Sequence, residues 1–384
     1  IFFRAPMNPI WAALVLFFIY EGGLAATEPA VGETYTPDCP TPAKHFLNIS
    51  QLSNTGIKSL VHLAGKIKRK TKDRKISFVP FENMQLGLIF TKPSLRTRAS
   101  FEAGFQRLGG GVSFFSNQDI ALGKREAVKD VARVAGRFYD VIASRVHAHD
   151  VLEQLACHSP VPIVNALSNY NHPLQIMSDL LTITEVLKTG PALLKGKKVV
   201  YIGDCNNMVT SWLLLATRIP FTFGIACPEQ LAKPDENAMK MAKAAGLSTI
   251  IYANKPQDVL EDADVVYADV WTSMGFKEEE EKRLEYFDGW TITTKMLKKT
   301  GKNETIFMHC LPAERGREVS DKVMESSQSV VFHQAENRQH MQMAILYELL
   351  KAKTDIWYHP APAPVEASAA AEAPAAAAET KKEE

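Results

Sequence analysis

Five short segments place donors, carboxylates and a thiol where an apolar run gives way to a turn or helix. The first is Lys92-Pro93-Ser94-Leu95-Arg96-Thr97-Arg98. Free N–H groups and the positive end of a helix form an anion cradle at such a start. Ser94 and Thr97 add hydroxyl donors there, and Arg96 can hold a phosphate through two parallel bonds. The plain alternative is an N-capping serine beside two solvated arginines. The second segment is His172-Pro173-Leu174-Gln175, where His and Gln share a helical face and can address one small polar group. A satisfied structural histidine is the competing reading. The third, Asp269-Val270-Trp271-Thr272-Ser273-Met274-Gly275, offers a carboxylate to a cationic substrate and then a loop. The run at 277–283 behind it reads as a solvated helix face. In the fourth, His309-Cys310-Leu311-Pro312, the cysteine is a nucleophile, a ligand contact or core filler. The fifth, Glu336-Asn337-Arg338, opens the last helix, where an arginine can reach an anion.

The elements that must carry these segments alternate between short apolar runs and amphipathic stretches, the pattern of a parallel α/β protein. Strands are expected at 86–90, 112–115, 141–144 and 161–164, with helices at 95–108 and 172–187. After Thr189-Gly190-Pro191 a second series follows, with strands at 199–202, 222–226, 249–252, 265–268, 306–309 and 330–332 and a last helix at 335–351. The expected organisation is an extension over 1–40, an α/β domain over 41–187 and another over 188–334. A terminal helix over 335–353 and a disordered tail over 354–384 complete it. The tail is low in complexity, rich in Ala, Pro, Glu and Lys.

The chain of 384 residues carries a net charge of +1, with 23% charged and 46% hydrophobic residues. That balance gives no electrostatic footprint for nucleic acid. The five cysteines, Cys39, Cys157, Cys205, Cys227 and Cys310, are far apart and contain no CxxC pair. Their spacing suggests neither a disulfide framework nor a zinc site, and a reducing compartment is expected. An apolar run at 10–20, preceded by Arg4 and followed by small residues, reads as a targeting segment rather than a membrane span. Membrane contact is expected only if that run is retained.

Together the segments resemble the aspartate/ornithine carbamoyltransferase family, on its ornithine branch, over residues 45–352. SxRTR, HPxQ, HCLP and ENR in this order are specific as a set. Asp269 followed by Ser273-Met274-Gly275, and the pair Asn206-Asn207, mark the branch. The resemblance implies two Rossmann-like domains with parallel sheets joined by interdomain helices, and no metal or organic cofactor. It implies a homotrimer with sites near subunit interfaces, and transfer of a carbamoyl group from carbamoyl phosphate to ornithine. That reaction is a step of arginine biosynthesis or the urea cycle, in the mitochondrial matrix or a plastid. Ser94, Leu95, Arg96 and Thr97 would hold the phosphate. Arg145, His172 and Gln175 would hold the carbamoyl end, and Asn207, Asp269, Ser273 and Met274 the ornithine. Cys310 and Leu311 would line the reacting centre, and Arg338 would complete the anion site. Cys310, Arg96, His172 and Asp269 would be the catalytic group.

Two positions depart from the pattern. Ala121 stands where Gln or His is usual, in a loop that reaches a neighbouring subunit's carbamoyl phosphate, and Cys205 stands where Gly is usual. A weakened paralogue acting as a structural subunit, or a member with another amine acceptor, are the alternatives. The chemistry itself needs a neutral amine. With a pKa near 10.4, about one δ-amine in 2,500 is neutral at pH 7, a cost of about 4.6 kcal/mol.

Overall fold

The computed structural model describes residues 44–73, 78–272 and 280–351. The expected targeting run, the tail, Ser273 and Met274 lie outside them. In the first half, α1 (Asn54–Lys72) leads to β1 (Gln85–Phe90), α2 (Leu95–Arg107), β2 (Gly111–Ser116), α3 (Asn117–Ile120) and α4 (Val128–Phe138). Then come β3 (Val141–Arg145), α5 (His149–His158), β4 (Ile163–Leu167) and α6 (Pro173–Val186). In the second half, β5 (Lys198–Ile202), α7 (Asn207–Ala216), β6 (Thr222–Ala226), α8 (Glu236–Ala245), β7 (Thr249–Ala253) and α9 (Gln257–Leu260) follow in turn. The chain closes with β8 (Val265–Ala268), α10 (Glu280–Tyr286), α11 (Thr294–Lys298), β9 (Ile306–His309), α12 (Asp321–Met324) and α13 (Val331–Leu350).

All pairings within the sheets are parallel, in the orders β2-β1-β3-β4 and β7-β6-β5-β8-β9. Parallel strands covered on both faces need unbroken apolar runs, and the fully buried Val-Val-Tyr-Ala of β8 is one. The edge strand β7 has only exposed and half-buried residues instead. One apolar core runs through both halves, from Leu86 and Leu88 of β1 to Val199 and Tyr201 of β5.

Two helices join the halves. α6 packs on β4 and on α7, while α13 packs on β9 and on α1, α2 and α6. Gly104 lets α2 approach α13: a Cβ there would lie 2.9 Å from the Met343 side chain. That close crossing brings Arg338 to the first turn of α2.

Two expectations for the strands are corrected. Residues 330–332 are not a strand; Val330 donates to the Phe307 carbonyl at 3.0 Å and then N-caps α13. The β-branched run yields to a helix that begins at Val331 rather than at 335. The strand placed at 161–164 is Ile163–Leu167, because Pro162 has no N–H to give a ladder.

Candidate active site

In each sheet the strand order reverses once, between β1 and β3 and between β5 and β8. Ligands of open α/β sheets bind at such reversals, outside the carboxyl ends of the strands. Here both reversals border one cavity of ≈ 610 Å³. Ser94, Leu95, Arg96, Thr97, Arg145, His172, Gln175, Asn207, Asp269, Cys310, Leu311 and Arg338 all line it. Every expected site residue within the described segments is therefore in one place.

The first wall is the N-terminus of α2. Ser94 caps it, its Oγ accepting from the Thr97 N–H at 3.3 Å and donating to Thr97 Oγ1 at 3.1 Å. Leu95 turns its side chain outward, 79% exposed, so its offering is a backbone N–H at a helix start. Arg338, buried on α13, donates from Nη2 to Thr97 Oγ1 at 3.0 Å and from Nη1 to Gln175 Oε1 at 2.5 Å. Burial lowers the pKa of Arg338 to about 10 despite Asp179 and Cys310. Burial, then Arg338 and Arg96, lowers that of Arg145 to about 10. Both remain cations at neutral pH. Arg145 Nε, Arg338 Nε and His172 Nδ1 are buried without hydrogen-bond partners. Burying a polar group so costs about 1–3 kcal/mol each.

His172 has its pKa well below the ordinary value, because burial and then Arg338 and Arg145 disfavour the imidazolium. It is neutral at pH 7 and suited to hydrogen-bonding an oxygen without adding charge. Its backbone N–H reaches across to Ser211 Oγ on α7 at 2.8 Å.

The facing wall is acidic. Asp269 Oδ1 accepts from its neighbour's amide, the Val270 N–H, at 2.8 Å and from the Cys310 thiol at 3.0 Å. Oδ2 accepts from Asn206 Nδ2 at 2.7 Å. Burial and then Asp269 raise the Cys310 pKa well above the ordinary thiol value. The neutral thiol is a donor to that carboxylate, which favours the ligand-contact reading. His309 Nδ1 accepts from the Leu311 N–H at 2.9 Å, leaving Nε2 to face Glu318 Oε1 at 3.2 Å. That pair holds the turn after β9, where Leu311 has a φ of 59°.

Sequence reasoning missed several contributors. Asn206, not Asn207, reaches Asp269; it also N-caps α7, its Oδ1 accepting from the Met208 N–H at 2.9 Å. Asn207 instead donates to the Ser168 carbonyl at 2.7 Å. In a pair of adjacent asparagines nothing in the sequence separates these roles. The run at 277–283 is corrected at Arg283, which is buried, lines the cavity and pairs with Asp204 at 2.5 Å. One arginine in a charged run carries no signal of that. Lys92 lines the cavity too, and burial and Arg145 lower its pKa.

The reading of the cysteines is also corrected. Cys205 and Cys227 form a disulfide with Cα atoms 5.9 Å apart, and Cys157 is disulfide-bonded as well. β5 and β6 are neighbours in register, so residues just past their ends meet although 22 positions separate them. The expectation of a reducing compartment loses its basis.

Comparison with known proteins agrees with this geometry. Residues 44–185 match the aspartate/ornithine carbamoyltransferase carbamoyl-P binding domain, and residues 195–349 match the Asp/Orn binding domain. The chloroplastic ornithine carbamoyltransferase of Pisum sativum is 44% identical over 326 residues, covering 85% of each chain. The ornithine carbamoyltransferase of a Nitratiruptor species is 44% identical over 79% of this chain and 96% of its own. The crystal structure of the anabolic ornithine carbamoyltransferase from Campylobacter jejuni superposes with a TM-score of 0.73 at 36% identity. That match covers 80% of this chain and 98% of the other. A mitochondrial ornithine carbamoyltransferase from Coccidioides immitis gives 0.73 at 31% identity, covering 80% and 99%.

Proposed function

We propose a catalytic assignment for this chain, which belongs to the aspartate/ornithine carbamoyltransferase family. The enzyme transfers the carbamoyl group of carbamoyl phosphate to the δ-amine of ornithine, giving citrulline and phosphate. The observation that carries the assignment is one cavity in which Arg96, Arg145 and Arg338 face the Asp269–Cys310 pair. A dianionic phosphate belongs at the first group and an ammonium at the second.

In this assignment the α2 N-terminus, Ser94, Thr97 and Arg96 hold the phosphate, with Arg338 behind them. Arg145 and neutral His172 address the carbamoyl oxygen, and Gln175 its amide. Asp269 accepts the ammonium proton, with Cys310 donating to the same carboxylate to fix its direction. The amine lone pair then attacks the carbamoyl carbon. Negative charge developing on the oxygen meets the guanidinium groups and His172. The C–O bond to phosphate breaks, the departing phosphate takes the remaining extra proton from the attacking nitrogen, and hydrogen phosphate leaves into the cradle that already holds it. Asn207 stands on the ornithine side of the cavity, and Ser273 and Met274 belong to the same assignment from outside the described residues. Orientation and preorganised charge supply the rate.

We assign the chain to a homotrimer. Val134 and Phe138 of α4 are 51% and 68% exposed beside a second, apolar cavity, a surface suited to another protomer. Light scattering should give three times the protomer mass. We assign it to an organelle, as with the chloroplastic pea enzyme and the mitochondrial Coccidioides enzyme; imaging of a tagged full chain tests that. For the reaction, purified chain given carbamoyl phosphate and ornithine should form citrulline, and other diamines should give no product. Absence of citrulline would withdraw the assignment.

A further inference from the structure

Behind the cavity wall lies a carboxylate that touches neither side of the reaction as assigned above. Asp179, on α6, is fully buried, and Oδ1 accepts from Gln175 Nε2 and from Gln334 Nε2, each at 2.8 Å. Oδ2 accepts from the Tyr267 hydroxyl at 2.8 Å. The three donors come from α6, from α13 and from β8, so the carboxylate joins both halves of the protein.

An ionised carboxylate only accepts, whereas a primary amide donates at one end and accepts at the other. With both NH2 groups turned to Asp179, both amide oxygens must point away. Gln334 Oε1 accepts from the His309 N–H at 2.9 Å, which fixes the backbone just before Cys310. Gln175 Oε1 accepts from Arg338 Nη1 on the cavity side. A carbonyl oxygen, not an NH2 group, is thus what Gln175 presents to a bound acyl group.

We infer that Asp179 is a positioning residue that makes the site discriminate a carbamoyl group from its acetyl isostere, by fixing the amide of Gln175 with its oxygen toward the ligand. The carbamoyl NH2 donates to that oxygen; a methyl group of the same size cannot. The same carboxylate orients Gln334, so one residue sets an amide on the phosphate side and the backbone ahead of Cys310. Burial first raises the Asp179 pKa, to about 6, against the opposing pull of its three donors and Arg338. The carboxylate is mostly ionised at pH 7 and above.

The inference rests on the carbamoyl-transfer reading. A wild-type chain that forms no citrulline sinks that reading; the experiment here is carried out on an active chain. Acetyl phosphate and carbamoyl phosphate are compared through the Ki of one and the Kd of the other. Wild type should bind acetyl phosphate about 10- to 100-fold more weakly, the scale set by an unpaired polar group in a site built to hydrogen-bond. Asp179→Leu leaves both NH2 groups without their acceptor, so that the Gln175 amide is no longer held from that side, and should bring the two ligands to within about threefold, through weaker carbamoyl phosphate binding. Asp179→Asn keeps one acceptor oxygen for both amides and can turn its NH2 to Tyr267, so it should retain most of the discrimination. A purely structural role would weaken both ligands alike. Should Asp179→Leu not fold, Gln175→Met deletes the amide that Asp179 aims and carries the same comparison. Wild-type protein that does not discriminate, or Asp179→Leu (Gln175→Met in its place) with undiminished discrimination, overturns the inference.

Discussion

The Cys310 thiol donates to Oδ1 of Asp269 at 3.0 Å while Asn206 donates to Oδ2 at 2.7 Å. The carboxylate is held from both ends before any substrate arrives. Because burial and Asp269 keep the thiol protonated, Cys310 should react slowly with alkylating reagents at pH 7, and faster only at strongly alkaline pH. Modification should abolish activity, and bound carbamoyl phosphate with an ornithine analogue should protect. Cys310→Ser, which retains a donor, should keep more activity than Cys310→Ala. Fast labelling at pH 7 without loss of activity would return the residue to the core.

Arg96 faces the cavity from the first turn of α2. Removing a charge-assisted phosphate contact costs about 2–3 kcal/mol, or roughly 100-fold in rate. Arg96→Ala should lose that factor in kcat/KM for carbamoyl phosphate with an unchanged melting temperature, since the side chain is only half buried. Steady-state kinetics and a thermal melt on the same preparation check both halves.

How much of this was legible in the sequence depends on the range of each interaction. Strands β6, β8 and β9 stand where continuous apolar runs place them, because a strand buried on both faces has no polar positions to spare. Segments such as His172-Pro173-Leu174-Gln175 and His309-Cys310-Leu311-Pro312 were legible because their residues act close to where the chain leaves a strand. Arg283–Asp204 and Cys205–Cys227 were not, being pairings across 79 and 22 positions that topology alone creates. Asp179 was silent for a further reason: an acid within a helix looks solvated until α13 and β8 are packed against it.

Glu185 shows what holds α1, α6 and α13 together. Its Oε2 meets Lys68 Nζ at 2.7 Å, His333 Nε2 at 2.8 Å and Asn337 Nδ2 at 2.9 Å. Burial alone would raise its pKa, but these partners outweigh it and bring it to about 2. A depressed acid contributes stability above its unfolded pKa of about 4.5 and loses it as pH falls toward 2. Allowing for solvent screening of a side chain left 29% exposed, the contribution is about 2–3 kcal/mol. The urea midpoint should therefore fall between pH 5 and pH 2, and Glu185→Gln should flatten that part of the profile while lowering stability at pH 7.

The Cys205–Cys227 disulfide joins the turn that carries Asp204 and Asn206 to the end of β6. Closing a loop across 22 positions constrains the unfolded chain by about 3 kcal/mol. Dithiothreitol should lower the melting temperature and raise the KM for ornithine, with recovery on reoxidation. Cys205→Gly should raise the KM for ornithine without reductant and add no further rise with it, while its melting temperature still answers to reduction of the bond at Cys157. Identical ornithine kinetics with and without reductant would confine the bond to stability.

Ala121 tests whether the α3 loop serves a neighbouring protomer. It sits in the left-handed region at a φ of 47°, and its carbonyl accepts from the Lys124 and Arg125 N–H groups at 2.9 and 3.0 Å. Ala already bears the cost of that conformation, so a longer L-residue adds little strain. The family resemblance places a polar side chain here, reaching carbamoyl phosphate across a subunit boundary, where this chain has a methyl group. A missing hydrogen bond to a charged ligand is worth about 1.5–3 kcal/mol, hence binding roughly tenfold to a hundredfold weaker. Ala121→Gln should lower the KM for carbamoyl phosphate by that factor if the contact is absent. Gln118, three positions earlier and exposed on the same short helix, is the residue able to substitute. If it has done so, Gln118→Ala raises the KM and Ala121→Gln leaves it unchanged. A KM that moves in neither variant means the loop touches no carbamoyl phosphate, and the site is then complete within one protomer.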